Sequence, residues 1–240
     1  MDKPVFAGNS DTGLLKTVAF ITMLADHVGY LFFSDEIIWR LIGRISFPLF
    51  AYCLVLGFLH TKDVKKYFIR LGAFSLISQL PYTLCFYPEK LGLNTENIVL
   101  ESDRAFSLFG FQLNIGFTMM LGLLGIFGLD RKKYYLTALA VILSFIPAVE
   151  YGSYGVMFMI IAYLFAFSER AMFGFALAVS LGSPAFGLFI NGYFDPQCFA
   201  AFAVLLMICK TNSKIKIPRW LGYGFYPAHL CILAFLNFVI

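Results

Sequence analysis

Apolar runs of near-bilayer length recur from one end of this chain to the other, with short polar connections between them. A hydrocarbon core about 30 Å thick takes roughly 20 apolar residues of helix to cross. Lipid offers backbone groups no water to bond, so only helices or closed barrels span it. A barrel needs alternating apolar and polar positions, and blocks such as AYCLVLGFL (51–59) and MFMIIAYLFAF (157–167) do not alternate. Only 13% of the 240 residues are charged, about half the share of a soluble domain. That supply is too small to cover a water-facing surface of ordinary size. The expected fold is all-α: a single polytopic transmembrane helical bundle filling residues 1–240.

The apolar runs predict spans at 14–33, 37–59, 67–86, 108–128, 134–149, 152–168, 171–190, 197–209 and 221–239, of which 134–149 and 197–209 are short. Basic residues test this count. Lys3 and Lys16 stand at the first span's entry, and Lys62, Lys65, Lys66 and Arg70 between the second and third. Arg131, Lys132 and Lys133 follow the fourth, Arg170 the sixth, and Lys210, Lys214, Lys216 and Arg219 the eighth. They fall on every second connection. The opposite connections are mainly acidic, including Asp35, Glu36, Glu89, Glu101, Asp103, Glu150 and Asp195. Positive charge marks the cytoplasmic side, which predicts a cytoplasmic N-terminus, about nine spans and an external C-terminus. The long outer connection at 87–107 reads as ordered or partly helical. The polar first ten residues predict no cleavable signal peptide.

Cys53, Cys85, Cys198, Cys209 and Cys231 show no CxxC spacing and read as small buried hydrophobes. The three histidines are scattered, so no metal site is expected, and nothing points to nucleic acid.

The informative residues are those that oil should exclude. Asp26 and His27 lie about two thirds of the way along the first span, where an ionisable group is costly and marks a functional hypothesis. Successive helix positions point about 100° apart. Asp26 is therefore expected to face a basic partner and His27 a cavity. Arg40 and Arg44 share a helix face at i, i+4, and Arg44 is expected near the depth of His27. Pro48 denies the Arg44 carbonyl its helical donor, predicting a kink over a polar pocket. The plainer reading is an Asp26–Arg44 pair that only ties two helices together.

Other polar groups follow. His60, Lys62, Lys65, Lys66 and Arg70 cluster at the cytoplasmic end of the second span. They suit anionic lipid head groups or the phosphates of a cosubstrate. Ser78 and Gln79 lie at mid-depth before Pro81, and Gln112 and Asn114 in the outer part of the fourth span. Pro227 and His229 lie well inside the last. Histidine in a membrane cavity suits general-base work, and proton relays use the same residue types. The residues leave two classes open, a membrane-embedded group-transfer enzyme and a transporter.

Six ordered blocks resemble the TraX family, named for an enzyme that N-acetylates the pilin subunit of conjugative pili. They are LKTVAFITMLADHVG (15–29), GRISFPLFAYCLVLGFLHT (43–61), YFIRLGAFSLISQLPY (67–82), LNIGFTMMLG (113–122), YGSYGVMFMIIAY (151–163) and WLGYGFYPAHL (220–230). Glu150 stands before the YGxYG block, where the family pattern leads one to expect aspartate. Residues 164–219 match in little beyond hydropathy.

The resemblance implies a multi-pass acetyltransferase of the inner (cytoplasmic) membrane, taking the acetyl group from cytoplasmic acetyl-CoA. The acceptor would be an amine or hydroxyl on a pilin-like peptide or a cell-envelope molecule. His27 would be the general base, Asp26 would pair with Arg44 or Arg40, and Arg44, Gln79 or Asn114 would meet the oxyanion. Lys62, Lys65, Lys66 and Arg70 are the expected acetyl-CoA contacts, with His60, Arg40, Gln79 and Asn114 as further candidates. His229 would act at the thioester end or only bind the freed Tyr223 carbonyl. The alternatives are a small-solute or proton-coupled transporter, for which inverted repeats would be expected, and a non-catalytic assembly protein.

Overall fold

A computed structural model of the chain describes residues 6–91, 93, 112–167 and 196–239. The expected span at 171–190, most of the connection at 87–107, the start of the span at 108–128, and Lys3 and Arg170 lie outside the described residues. Among the described residues the secondary structure is helical, apart from one isolated bridge between Leu113 and Val149. The helices are α1 (Thr12–Phe32), α2 (Ile37–Gly43), α3 (Ser46–His60), α4 (Val64–Phe86), α5 (Ile115–Asp130), α6 (Tyr134–Ser144), α7 (Gly152–Phe165), α8 (Ala201–Ile208) and α9 (Arg219–Val239). Short 3₁₀ turns occupy Pro88–Leu91 and Pro196–Ala200.

Thr12–Phe32, Ile37–His60 and Arg219–Val239 are long and apolar enough to cross a membrane. Ile115–Asp130, Tyr134–Ser144 and Gly152–Phe165 are shorter apolar helices. The 11 residues of α6 rise only about 16 Å, so that segment is short in space as well as in sequence. The run at 197–209 becomes a 3₁₀ turn followed by the 8-residue α8.

The stretch at 37–59 differs from the expected single kinked helix. It is two helices broken at Arg44 and Ile45. Pro48 is the third residue of α3, where a backbone N–H has no intrahelical acceptor to lose. The proline therefore costs α3 nothing, and the chain turns ahead of it. The Ser46 hydroxyl donates to the Ala19 carbonyl at 3.0 Å, fixing the start of α3 against α1.

Three helices start at side chains that cap them. Asp11 accepts the Leu14 N–H at 3.1 Å, Asp63 the Lys66 N–H at 3.0 Å and Asn114 the Gly116 N–H at 2.9 Å. Asn114 therefore stands just before α5 rather than inside it.

The chain divides into two compact units. Residues 1–57 with 161–218 form the first, holding α1, α2, most of α3, and α8. Leu49, Ala51, Tyr52, Leu54, Val55 and Leu56 of α3 are all buried, as expected of a helix apolar on every side. The Asn9 side chain donates to the Leu206 carbonyl at 2.9 Å and to the Thr211 hydroxyl at 3.0 Å. The Tyr52 hydroxyl donates to the Met207 carbonyl at 3.2 Å. Residues 58–160 with 219–240 form the second unit, in which α4 packs on α5 and α9, and α5 packs on α6. Phe74 of α4 meets Tyr226 of α9 with ring centroids 5.6 Å apart. Outward-facing Trp220, Ile232, Phe235 and Val239 leave α9 with an apolar face, the kind of surface that water disfavours and lipid accepts.

Candidate functional site

The first unit concentrates charge on α1 and α2. Asp26 of α1 accepts from Arg40 Nη1 at 3.1 Å, and both side chains are largely withdrawn from solvent, at 18% and 32% exposure. The guanidinium of Arg40 also stands 5.0 Å above the centre of the Tyr30 ring, a cation–π contact. Gly43 makes this approach possible, because a Cβ there would collide with the Asp26 carboxylate. Of the two arginines four residues apart, the ion-pair partner of Asp26 is Arg40.

Arg44 is arranged differently. It caps α2, and its Nη1 donates to Gln197 Oε1 at 3.5 Å, a long hydrogen bond. Its Nε is buried and has no hydrogen-bond partner among the described residues. The described ion pairs give Arg44 no carboxylate. Asp26, Arg40 and Arg44 together carry one negative and two positive charges. A half-buried cluster of this kind is poised for an anion or a strongly polarised oxygen. His27 follows Asp26 on α1 and is half-buried.

Gln197 escaped the sequence reading. It lies in the stretch 164–219, where only hydropathy had been legible, one turn before the apolar run of α8. An amide immediately after Asp195–Pro196, at the mouth of an apolar helix, was the available signal.

The second unit uses its amides as structure. Gln79 Nε2 donates to the Gln112 carbonyl at 2.8 Å and the Thr83 hydroxyl at 3.2 Å. Gln79 Oε1 accepts from the Asn114 backbone N–H at 3.1 Å and from Asn114 Nδ2 at 2.9 Å. Asn114 Nδ2 also donates to the Ser75 carbonyl at 2.8 Å. The amide hydrogens of Gln79 and Asn114 are thus occupied in joining α4 to the entry of α5. Neither side chain has an idle donor for an oxyanion.

His229 is buried in α9, with Nδ1 2.8 Å from the Phe225 carbonyl. A carbonyl only accepts, so Nδ1 carries the proton, and a neutral ring keeps its lone pair on Nε2. The carbonyl it binds is that of Phe225, not the Tyr223 carbonyl freed by Pro227. Phe225 stacks on the imidazole at 5.0 Å and Tyr226 meets it edge-on at 5.6 Å.

The basic cluster at the start of α4 is exposed. Lys66 pairs with Asp63 at 3.4 Å, and Arg70 lies 5.7 Å from the Tyr67 ring centre. The Lys66 N–H, donated to Asp63, holds that carboxyl below its usual range. His60 ends α3, exposed, with Lys62 and Lys65 beyond it.

These helices, with charged and amide side chains set among apolar faces, define over the described residues a helical protein equipped with membrane-length segments. The chain belongs to the TraX family, whose sequence model, described as TraX protein, matches residues 11–237. It is also similar to the probable fimbrial assembly protein FimC, serogroup H1, of Dichelobacter nodosus. The two are 26% identical over 246 residues, covering 91% of this chain and 92% of the relative. No solved structure matches the chain.

Proposed function

We propose that this chain is a multi-pass acetyltransferase of the cytoplasmic membrane that moves an acetyl group from acetyl-CoA to an amine or hydroxyl on a pilin-like peptide or a cell-envelope acceptor. The observation that carries the reading is Arg44, whose guanidinium has a buried, unmatched Nε–H and which caps α2, the helix packed on α1 where Asp26 and His27 sit. Family membership and the printed name of the fimbrial relative support an acceptor connected with pili. Positive charge on alternate connections supports nine spans and a cytoplasmic N-terminus. That orientation turns Lys62, Lys65, Lys66 and Arg70 towards cytoplasmic acetyl-CoA, whose phosphates they suit.

In this scheme His27 takes the proton of the acceptor as its nitrogen or oxygen attacks the thioester carbonyl carbon. The new C–N or C–O bond forms, the carbonyl oxygen gathers negative charge, and Arg44 stabilises it. The C–S bond then breaks, and the proton held by His27 passes to the departing CoA thiolate. Asp26 does not take part directly. Locked to Arg40, it fixes the helix that presents His27. Since Gln79 and Asn114 already use their donors within the second unit, Arg44 is the better-suited oxyanion group. His229 keeps a lone pair on Nε2 and is the second candidate base.

The test is mass spectrometry of a short peptide with a free N-terminus, incubated with acetyl-CoA and the purified protein in nanodiscs. A gain of one acetyl group that depends on the protein supports the reading. No gain on that peptide or on simple amines and alcohols, with acetyl-CoA left intact, sinks it.

A further inference from the structure

The acetyl-transfer reading leaves open how a guanidinium in an apolar unit is kept aimed with its Nε edge free. We propose that Gln197 is a positioning residue for Arg44, holding the Nη1 edge of the guanidinium so that its Nε–H meets the acyl carbonyl oxygen of the thioester. The inference rests on the proposed acetyl transfer and adds a residue to it.

Two observations carry it. The first is the contact itself: Arg44 Nη1 donates to Gln197 Oε1 at 3.5 Å, across 153 positions of sequence. The second is the state of Arg44, whose Nε is buried and without a partner among the described residues, while the nearby carboxylate, Asp26, is engaged by Arg40.

The choice of residue is chemically specific. A carboxylate at 197 would bind the guanidinium through two parallel hydrogen bonds and neutralise it. A carboxamide oxygen orients the same group through one weaker bond and leaves the positive charge intact. The partner is also placed firmly: Gln197 lies on the 3₁₀ turn Pro196–Ala200, which packs on α2, the helix Arg44 caps. Group geometry matters steeply in transfer reactions, since small misplacements of a catalytic group cost large factors in rate.

The experiment compares the intact protein with Gln197→Glu and Gln197→Leu, each in nanodiscs. CoA release from acetyl-CoA is followed with a short amine-terminated peptide, together with the ratio of affinities for acetyl-CoA and free CoA. For Gln197→Glu the expected result is a protein at least as heat-stable as wild type, with kcat lower by about 100-fold, the loss typical of one oxyanion donor. Its preference for acetyl-CoA over CoA should disappear. For Gln197→Leu a fall in kcat of about tenfold, with KM for acetyl-CoA little changed, is expected from loss of aim alone. A purely structural contact would let glutamate substitute without loss, because it pairs better with arginine. Wild-type rates in Gln197→Glu therefore overturn the inference while leaving acetyl transfer standing. A wild-type protein that neither releases CoA nor binds acetyl-CoA overturns both.

Discussion

Arg40 Nη1 and Asp26 Oδ1 lie 3.1 Å apart across the α1–α2 turn, and the closeness depends on the missing side chain of Gly43. This relationship separates the two arginines of α2 into different tasks. Arg40 neutralises the buried carboxylate, and Arg44 keeps its charge.

Breaking the pair from one side should be worse than removing both ends. Arg40→Leu leaves Asp26 uncompensated, and Asp26→Leu leaves Arg40 so. Each should cost about 1.5–3 kcal/mol, the range for hydrogen bonds to charged groups. The double variant should cost less than the sum of the two. Unfolding in detergent, measured for the three variants together, checks the cycle.

Gly43→Ala places a methyl group against the Asp26 carboxylate. Overpacking of this kind costs typically about 1–3 kcal/mol. The Asp26 Cβ is part of the same collision, so only an Asp26→Gly background clears it, and there the Gly43 substitution should be nearly neutral. A similar loss in both backgrounds would show that Gly43 serves the backbone at the α2–α3 break instead.

Asn114→Ala removes the α5 cap and two bonds to α4. A lost cap costs about 1 kcal/mol, and a buried group left unsatisfied about 1–3 kcal/mol more. The expected effect is therefore on stability, read by heat denaturation, with KM for acetyl-CoA unchanged in the protein that remains folded.

Asp11 offers a pH test outside the membrane-length segments. The Ser213 backbone N–H, donated at 2.6 Å, and the Leu14 N–H pull its carboxyl from the ordinary range down to about 2. The folded state binds that proton more weakly than the unfolded state. The stabilisation is thus complete above about pH 4 and is lost as pH falls towards 2. Because Asp11 is largely solvated, the effect should be modest. The protection factor of the Ser213 amide, its exchange rate relative to that of an unstructured peptide at the same pH, should fall across that window in wild type, and Asp11→Asn should flatten the dependence.

Much of this arrangement was legible in the sequence, and the exceptions have physical causes. The helical class and the membrane-length runs come directly from apolar segment length, which local backbone satisfaction dictates. The conjunction of Asp26 with α2 arginines was readable from cost alone, since a carboxylate in oil needs a cation. Which arginine answers was not readable, because the choice turns on a chain break at Arg44 and Ile45. The sequence suggested a proline kink there, whereas Pro48 simply begins a new helix. Asn114 looked like an intrahelical amide because the surrounding residues are apolar, and only its bond to Gly116 reveals a cap. Of the two roles expected for His229, binding the carbonyl that Pro227 frees is not the one observed, because the side chain reaches its own i−4 carbonyl, Phe225, more directly. Gln197 stayed hidden because its local signal, an amide after Asp195–Pro196, says nothing of a partner 153 residues away.

The central claim is acetyl transfer with His27 as the base. CoA release from acetyl-CoA by the purified protein, beside His27→Ala and His229→Ala and with an amine-terminated peptide present, tests it most directly. Turnover is expected in wild type, with a fall of about 100-fold or more in His27→Ala, as loss of a general base entails, and unaltered heat stability in that variant. Turnover that survives in His27→Ala but vanishes in His229→Ala would move the base to α9, and no CoA release from wild type would contradict acetyl transfer altogether.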